Sequence, residues 1–256
     1  MIGEGRKRAW ALRMVVPLVL LVGWQLLYTV VGEPALVSPL TTLRSLQANW
    51  VLWVPDFEST LVSLAAAYAL AVAVGFGGGF LIGLSGARAD LFVPLLVTAS
   101  AVPKIVLYPI VLLIFGVTEE GRIFFAWLHG VLPIAIITAQ ATRTVPAIYL
   151  KLARSYRLSF WRRVRHVLIP AVMPHAMVAL RMGFGLCFLG LVLAEMFAAY
   201  DGLGFRLVKY MGFNQTPKVL ALALVISLLA FLGTAMLLAW EERREGRIGD
   251  VMVGLR

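Results

Sequence analysis

Few residues in this chain have the type and spacing to do covalent chemistry. His129, His166 and His175 are scattered, with no cysteine or carboxylate at metal-ligand spacing. Cys187 is the sole cysteine and sits in an apolar run, which excludes an intrachain disulfide. Gly183, Gly185 and Gly190 form no dinucleotide fingerprint in a strand–turn–helix setting and read as packing glycines. No Gly-x-x-x-x-Gly-Lys-Ser/Thr stretch occurs, so the chain lacks the loop whose amides cradle nucleotide phosphates. No nucleophile and base stand at matched depth as an intramembrane protease would need. These residues argue against an enzyme and against a cofactor or metal held by this chain.

What remains is charge in apolar surroundings, which is costly and therefore a functional candidate. Lys104 lies between Pro103 and Pro109, where the helical ladder is expected to be interrupted. Broken helices at mid-depth mark substrate paths. Facing such a path, Lys104 favours an anionic substrate; otherwise it pairs with a carboxylate or carbonyl, or snorkels. Glu195 stands near the end of an apolar run and suits a gate, a packing hydrogen bond or a substrate contact. Arg181 is about 9 Å from a span end at about 1.5 Å per residue, and snorkelling accounts for it.

The elements that position these groups follow from hydropathy. The 256 residues are 61% hydrophobic and 14% charged, with mean hydropathy +0.90. One soluble core cannot hide that excess, so much of the surface faces lipid. Helical spans need about 20 apolar residues each. Six are expected, at 11–31, 61–84, 91–115, 123–142, 175–199 and 217–240, in a single transmembrane domain over 1–256. The first reads as an uncleaved signal anchor. Ser38 and Pro39 start a short interfacial helix, with Trp50 and Trp53 at the membrane–water boundary. Ala67, Ala71, Gly75, Gly79 and Gly83 recur every four residues, a small-residue ridge for close helix approach within the chain or to a second copy.

The net charge of +10 is distributed between the apolar runs and does not form the continuous stripe that nucleic acid would use. Of the 23 Lys and Arg residues, sixteen fall at the termini and in the second and fourth loops, including Arg6, Lys7, Arg8, Arg13, Arg88 and Arg143. Five fall on the opposite side: Arg44, Arg122, Arg206, Lys209 and Lys218. The positive-inside rule then puts both termini and the loop 143–174 in the cytoplasm.

That loop changes period. Val145, Ile148, Tyr149, Leu152 and Tyr156 share one helical face, and Phe160, Trp161, Val164, Val167 and Leu168 make a second. Ser159 is placed to cap the second helix and Ile169 with Pro170 to end it. The polar faces carry Lys151, Arg154, Arg162, Arg163 and Arg165, with a turn near Arg157. The pair either lies on anionic lipid headgroups or docks into a groove of a protein partner. Phe160 and Trp161 beside the turn suit a docking hot spot.

The spacing from Lys151, Leu152 and Ala153 through position 157 to Val167, Leu168, Ile169 and Pro170 resembles the EAA loop of binding-protein-dependent ABC importer permeases. Ala101, Val102, Pro103, Pro109, Phe115 and Gly116 are similar to that family's third span. Ala194, Glu195, Gly202, Leu203, Gly204 and Phe205 are similar to its fifth span and following loop, and the nitrate, sulfonate and taurine subgroup is the most similar. Lys151 stands where the family has Glu, and Arg157 where it has Gly; an Arg there argues against a left-handed turn. The exchanged charge would suit a co-adapted ATPase.

The resemblance implies an all-α, type I ABC importer permease fold in a bacterial inner membrane. It implies cytoplasmic ATPase subunits that bind the ATP, an extracytoplasmic substrate-binding protein, and a permease homodimer in membrane lipid. Lys151, Leu152, Ala153, Arg154, Arg157, Phe160, Trp161 and Pro170 would dock the ATPase; Lys104 and Glu195 are candidates for the path. The substrate expected is a small anion such as a sulfonate, taurine or nitrate, with a vitamin precursor or aromatic compound as the alternative. An ATP-independent secondary transporter would need paired repeats, which are not evident, and a membrane scaffold is more distant.

Overall fold

The computed structural model describes the backbone of residues 2–33 and 35–253, and the side chains of 15–33 and 35–243. Arg6, Lys7, Arg8, Arg13, Arg244, Arg247 and Arg256 of the topology argument lie outside the described side chains. Every regular element among the described residues is helical: α1 Ile2–Val31, α2 Pro39–Gly83, α3 Gly86–Ala101, α4 Tyr108–Phe115, α5 Glu119–Arg143, α6 Ala147–Ser155, α7 Phe160–Arg163, α8 Ile169–Phe197, α9 Leu203–Gly212 and α10 Thr216–Val253.

Among the described residues, four stretches are long and apolar enough to cross a bilayer: α2, α5, the continuous 160–197 and 216–243. The bent pair α3–α4 makes a fifth if it is one span, and Val15–Val31 is a shorter apolar stretch. Along that stretch the large apolar side chains Val16, Leu18, Leu20, Leu26 and Val30 are all exposed. Such a surface is stable only against lipid or another apolar partner.

Three helices make the centre. The small-residue ridge of α2 packs inside the chain, on α5. A β-carbon added at Gly75 would lie 2.8 Å from the Val131 carbonyl oxygen, and one at Gly79 or Gly83 would collide with the carbonyl of Ala135 or Ala139. The contacts advance in the same sense along both chains, so α2 and α5 run parallel. On its other side α5 meets α8 antiparallel, Gly130 against Gly183 and Cys187, and His129 against Gly190. Glycine at these points lets backbones touch, and dispersion across the close contact replaces the hydrophobic drive that lipid withholds. Leu64, Ala67, Ala126, Ile134, Phe188 and Leu191 fill the space between the three helices.

The structure refines and in places corrects the sequence expectation. Ser38 caps α2 as expected, its hydroxyl accepting from the Thr41 amide at 3.1 Å. The helix it starts, however, does not stop before the span: it runs 45 residues through Pro55. Its length is about 67 Å, over twice a hydrocarbon layer of about 30 Å. Trp53 is not interfacial, since it is fully buried against Leu203, Tyr210 and Leu222, whereas Trp50 stays partly exposed. The span expected at 91–115 is interrupted where Pro103 and Pro109 imply, and its two helices meet at 82°. Val102 is extended ahead of Pro103, the conformation proline imposes on its predecessor, and a 3-10 turn over Lys104–Leu107 leads into α4.

A further correction lies at Pro170, which does not end the second loop helix. A π-helical segment, Val164–Leu168, joins α7 directly to α8. The Ile169 amide reaches back five residues to the Val164 carbonyl. Widening the coil there makes room for the Pro170 ring, which would otherwise strike the carbonyl four residues earlier. Arg181 is not merely snorkelling either, since it forms an ion pair with Glu241 of α10 at 3.4 Å.

Candidate functional site

The loop between α5 and α8 presents two short helices at the end of the molecule that also holds Gly83 and Arg143. Val145, Leu150 and Ile169 pack towards a cluster of Phe80, Ala141, Val164, Leu168, Val172 and Ala176, and Ala153 is buried. The helix pair is thus fixed to α2, α5 and α8 by its inner face. Its outer face is apolar and uncovered: Ile148, Tyr149 and Leu152 on α6, Tyr156 at its C-terminal cap, then Phe160 and Trp161 on α7. Trp161 is 76% exposed, the least covered tryptophan among those described. Lys151, Arg154, Arg157, Arg162 and Arg165 are exposed around it, and no acidic residue lies between Glu120 and Glu195.

The turn at Arg157 is left-handed, contrary to the expectation drawn from its side chain. Its φ is +48°. The Arg157 amide donates to Arg154 O at 2.8 Å and the Leu158 amide to Ala153 O at 3.0 Å. This crossed pair is the Schellman termination, which calls for glycine because a Cβ crowds the left-handed backbone. The motif's hydrogen bonds hold Arg157 there in spite of that cost. Ser159 occupies the position before α7, but its hydroxyl makes no capping bond. Pro170 is exposed on the continuous helix.

Lys104 sits in the α3–α4 break, half-buried, with Nζ donating to Ser100 O at 3.3 Å. An ammonium has three N–H donors, so two remain for other acceptors. Around it Ala101, Val102, Pro103, Ile105 and Val106 are exposed, so the break opens away from the three-helix centre.

At the end opposite the helix pair lies a polar cluster that sequence reasoning missed. Asp56 of α2 accepts from Arg206 Nε at 2.7 Å and from the Gly202 amide at 3.2 Å. Thr60 accepts from the Leu203 amide at 2.9 Å and donates to Glu195 Oε1 at 2.8 Å. Glu195 Oε2 accepts from the Gly204 amide at 2.9 Å. Arg122 of α5 is paired with Asp201 and also donates to Ser59 Oγ at 3.3 Å. Glu195 is fully buried with both oxygens engaged, so among the roles considered for it the packing hydrogen bond describes its geometry. The available signal was Asp56, Arg122, Asp201 and Arg206 standing at the ends of neighbouring spans; the two arginines entered only the topology reading and the two aspartates none.

Comparison with known proteins falls on these same elements. The family model described as "Binding-protein-dependent transport system inner membrane component" matches residues 72–245, from the C-terminal part of α2 into α10. The Bacillus subtilis permease protein SsuC, named for aliphatic sulfonates transport, is 28% identical over 94% of this chain and 92% of its own length. The nitrate import permease protein NrtB of Synechococcus elongatus is 27% identical, covering 86% of this chain and 84% of its own. Among solved structures, a chain of the MetNI methionine ABC transporter in inward-facing conformations superimposes with a TM-score of 0.60 at 20% identity. It covers 74% of this chain and 96% of that one, a likeness of fold.

Proposed function

This chain belongs to the family of binding-protein-dependent transport system inner membrane components, and from that premise we propose how it works as the permease subunit of an ABC importer. The α6–α7 end faces the cytoplasm and the Asp56–Glu195 end faces outward, because the basic residues concentrate at the former. The outer face of α6–α7 docks an ATPase subunit. Ile148, Leu152, Tyr156, Phe160 and Trp161 provide the apolar anchor, and Lys151, Arg154 and Arg157 the charged rim. Leu152 and Arg154 point outward beside Ala153, which fastens the helix to the membrane core, while Pro170 lies on the helix that carries motion inward.

The observation that carries this reading is mechanical. The exposed Phe160 and Trp161 stand on a helix continuous with α8 through residue 197. Motion imposed at the ATPase interface therefore reaches the centre of the membrane domain along a single rigid element. With no Gly-x-x-x-x-Gly-Lys-Ser/Thr stretch in the sequence, ATP binding is assigned to the partner.

Transport needs a path, and the α3–α4 break supports one lined by Lys104. Two copies of the chain facing each other across this exposed break would enclose it. The ammonium favours a small anion, in keeping with relatives named for sulfonates and nitrate. The test is co-purification with an ATPase subunit and ATP hydrolysis stimulated by a loaded external binding protein. Hydrolysis undisturbed by Trp161→Ala would count against docking at this face. Uptake driven without ATP would instead make the protein a secondary transporter.

A further inference from the structure

Helix α9 is capped from outside itself. Gly202 precedes it with no side chain to cap the free amides. Its first three N–H groups go to two other helices: Gly202 to Asp56, Leu203 to Thr60, and Gly204 to Glu195. Two carboxylates at a helix N-terminus also sit favourably in its dipole. The Thr60 hydroxyl accepts from α9 and donates to Glu195, so one oxygen joins α2, α8 and α9.

The fit is close enough to require both glycines. Gly202 has φ +98°, and a β-carbon there would lie 2.6 Å from Glu195 Oε1; one at Gly204 would lie 2.7 Å from Val192 O. One turn along, Arg206 is paired with Asp56. Further on, Tyr210 accepts from Trp53 Nε1 at 3.1 Å. The helix is thereby fastened to α2 along its whole length. Its other side exposes Val208, Lys209, Met211 and Phe213, with Tyr200 just ahead.

We infer that Asp56, Thr60 and Glu195 are positioning residues for transport: they turn α9 into a rigid extension of α2 and α8. A load applied to the exposed side of α9 by the external binding protein then reaches the α2–α5–α8 centre. Without the clamp, the linker between α8 and α9 would act as a loose joint and absorb it. This rests on the permease reading above.

The experiment uses Thr60→Val, which keeps the shape and removes the hydroxyl, and Thr60→Ser, which restores it. Each is assembled with its ATPase subunits in nanodiscs. Basal and binding-protein-stimulated ATP hydrolysis are measured, together with amide hydrogen exchange at Leu203. For Thr60→Val the stimulation falls about tenfold or more and the Leu203 amide exchanges about tenfold faster, as expected for a lost bond on a charged network. Basal hydrolysis stays within about twofold, and Thr60→Ser matches wild type in all three readings. Wild-type stimulation in Thr60→Val overturns the inference, whether or not exchange accelerates. Equal loss of basal and stimulated hydrolysis also overturns it, since Thr60 would then merely hold the fold. A wild type that no binding protein stimulates defeats the permease reading as well, and only that result does so.

Discussion

Arg157 offers a substitution whose sign can be worked out in advance. Its φ of +48° carries a left-handed penalty of about 1–2 kcal/mol that glycine escapes. Glycine in turn loses about 0.5–1 kcal/mol of additional chain entropy on folding. Arg157→Gly should therefore tighten the turn by about 0.5–1 kcal/mol. Arg157→Val, β-branched and poorly tolerated at positive φ, should loosen it by about 1 kcal/mol. The amides of Arg157 and Leu158, which donate to Arg154 O and Ala153 O, report the turn directly. Their exchange should slow about two- to fivefold in the glycine variant and quicken about fivefold in the valine variant, at about 1.4 kcal/mol per tenfold. If the valine variant protected these amides as well as the glycine variant does, the left-handed Schellman turn would be wrong. Because Arg157 is exposed, neither change should alter the thermal midpoint of the membrane helices.

Other consequences follow from the same geometry. Gly79→Leu drives a side chain into the Ala135 carbonyl, forcing α2 from α5; a loss of about 3 kcal/mol or more is expected, read as a lowered melting midpoint in detergent. Trp161→Ala removes an exposed ring, so permease stability should hold within about 0.5 kcal/mol while ATPase affinity drops about thirtyfold, a hot-spot loss of about 2 kcal/mol measured by titration of the purified subunits. Asp56→Ala leaves the half-buried Arg206 and the Gly202 amide without their acceptor and should cost about 2–3 kcal/mol, with the melting midpoint as readout. Lys104→Gln should raise the substrate concentration for half-maximal uptake of an anion, measured in proteoliposomes, and leave ATPase assembly intact.

Hydropathy and spacing made the membrane class and the position of the helix pair legible, because both depend on local pattern. The break at Pro103 was readable for the same reason: proline acts on its own neighbours. Features set by tertiary contact were not. Nothing in the run around Pro170 announces the π-helical segment that lets α7 and α8 fuse, since proline alone argues for a stop. Trp53 looks interfacial by type, and only its contact with α9 and α10 makes it core. Arg157 misled because its side chain disfavours a conformation that two backbone hydrogen bonds nevertheless select. Three of the four bonds of the Asp56–Thr60–Glu195 clamp join residues 135 or more positions apart, beyond any periodicity.

On the proposed docking, α6–α7 pass ATP-driven motion to the membrane helices through the continuous helix 160–197. The most direct measurement reconstitutes the permease with its ATPase subunits and loaded binding protein, and follows ATP hydrolysis and uptake together for wild type and Trp161→Ala. Coupled hydrolysis and uptake in the wild type, both lost in a Trp161→Ala variant that remains folded, is the predicted result. Uptake that proceeds without ATP, or coupling that survives in the variant, would refute docking at this face.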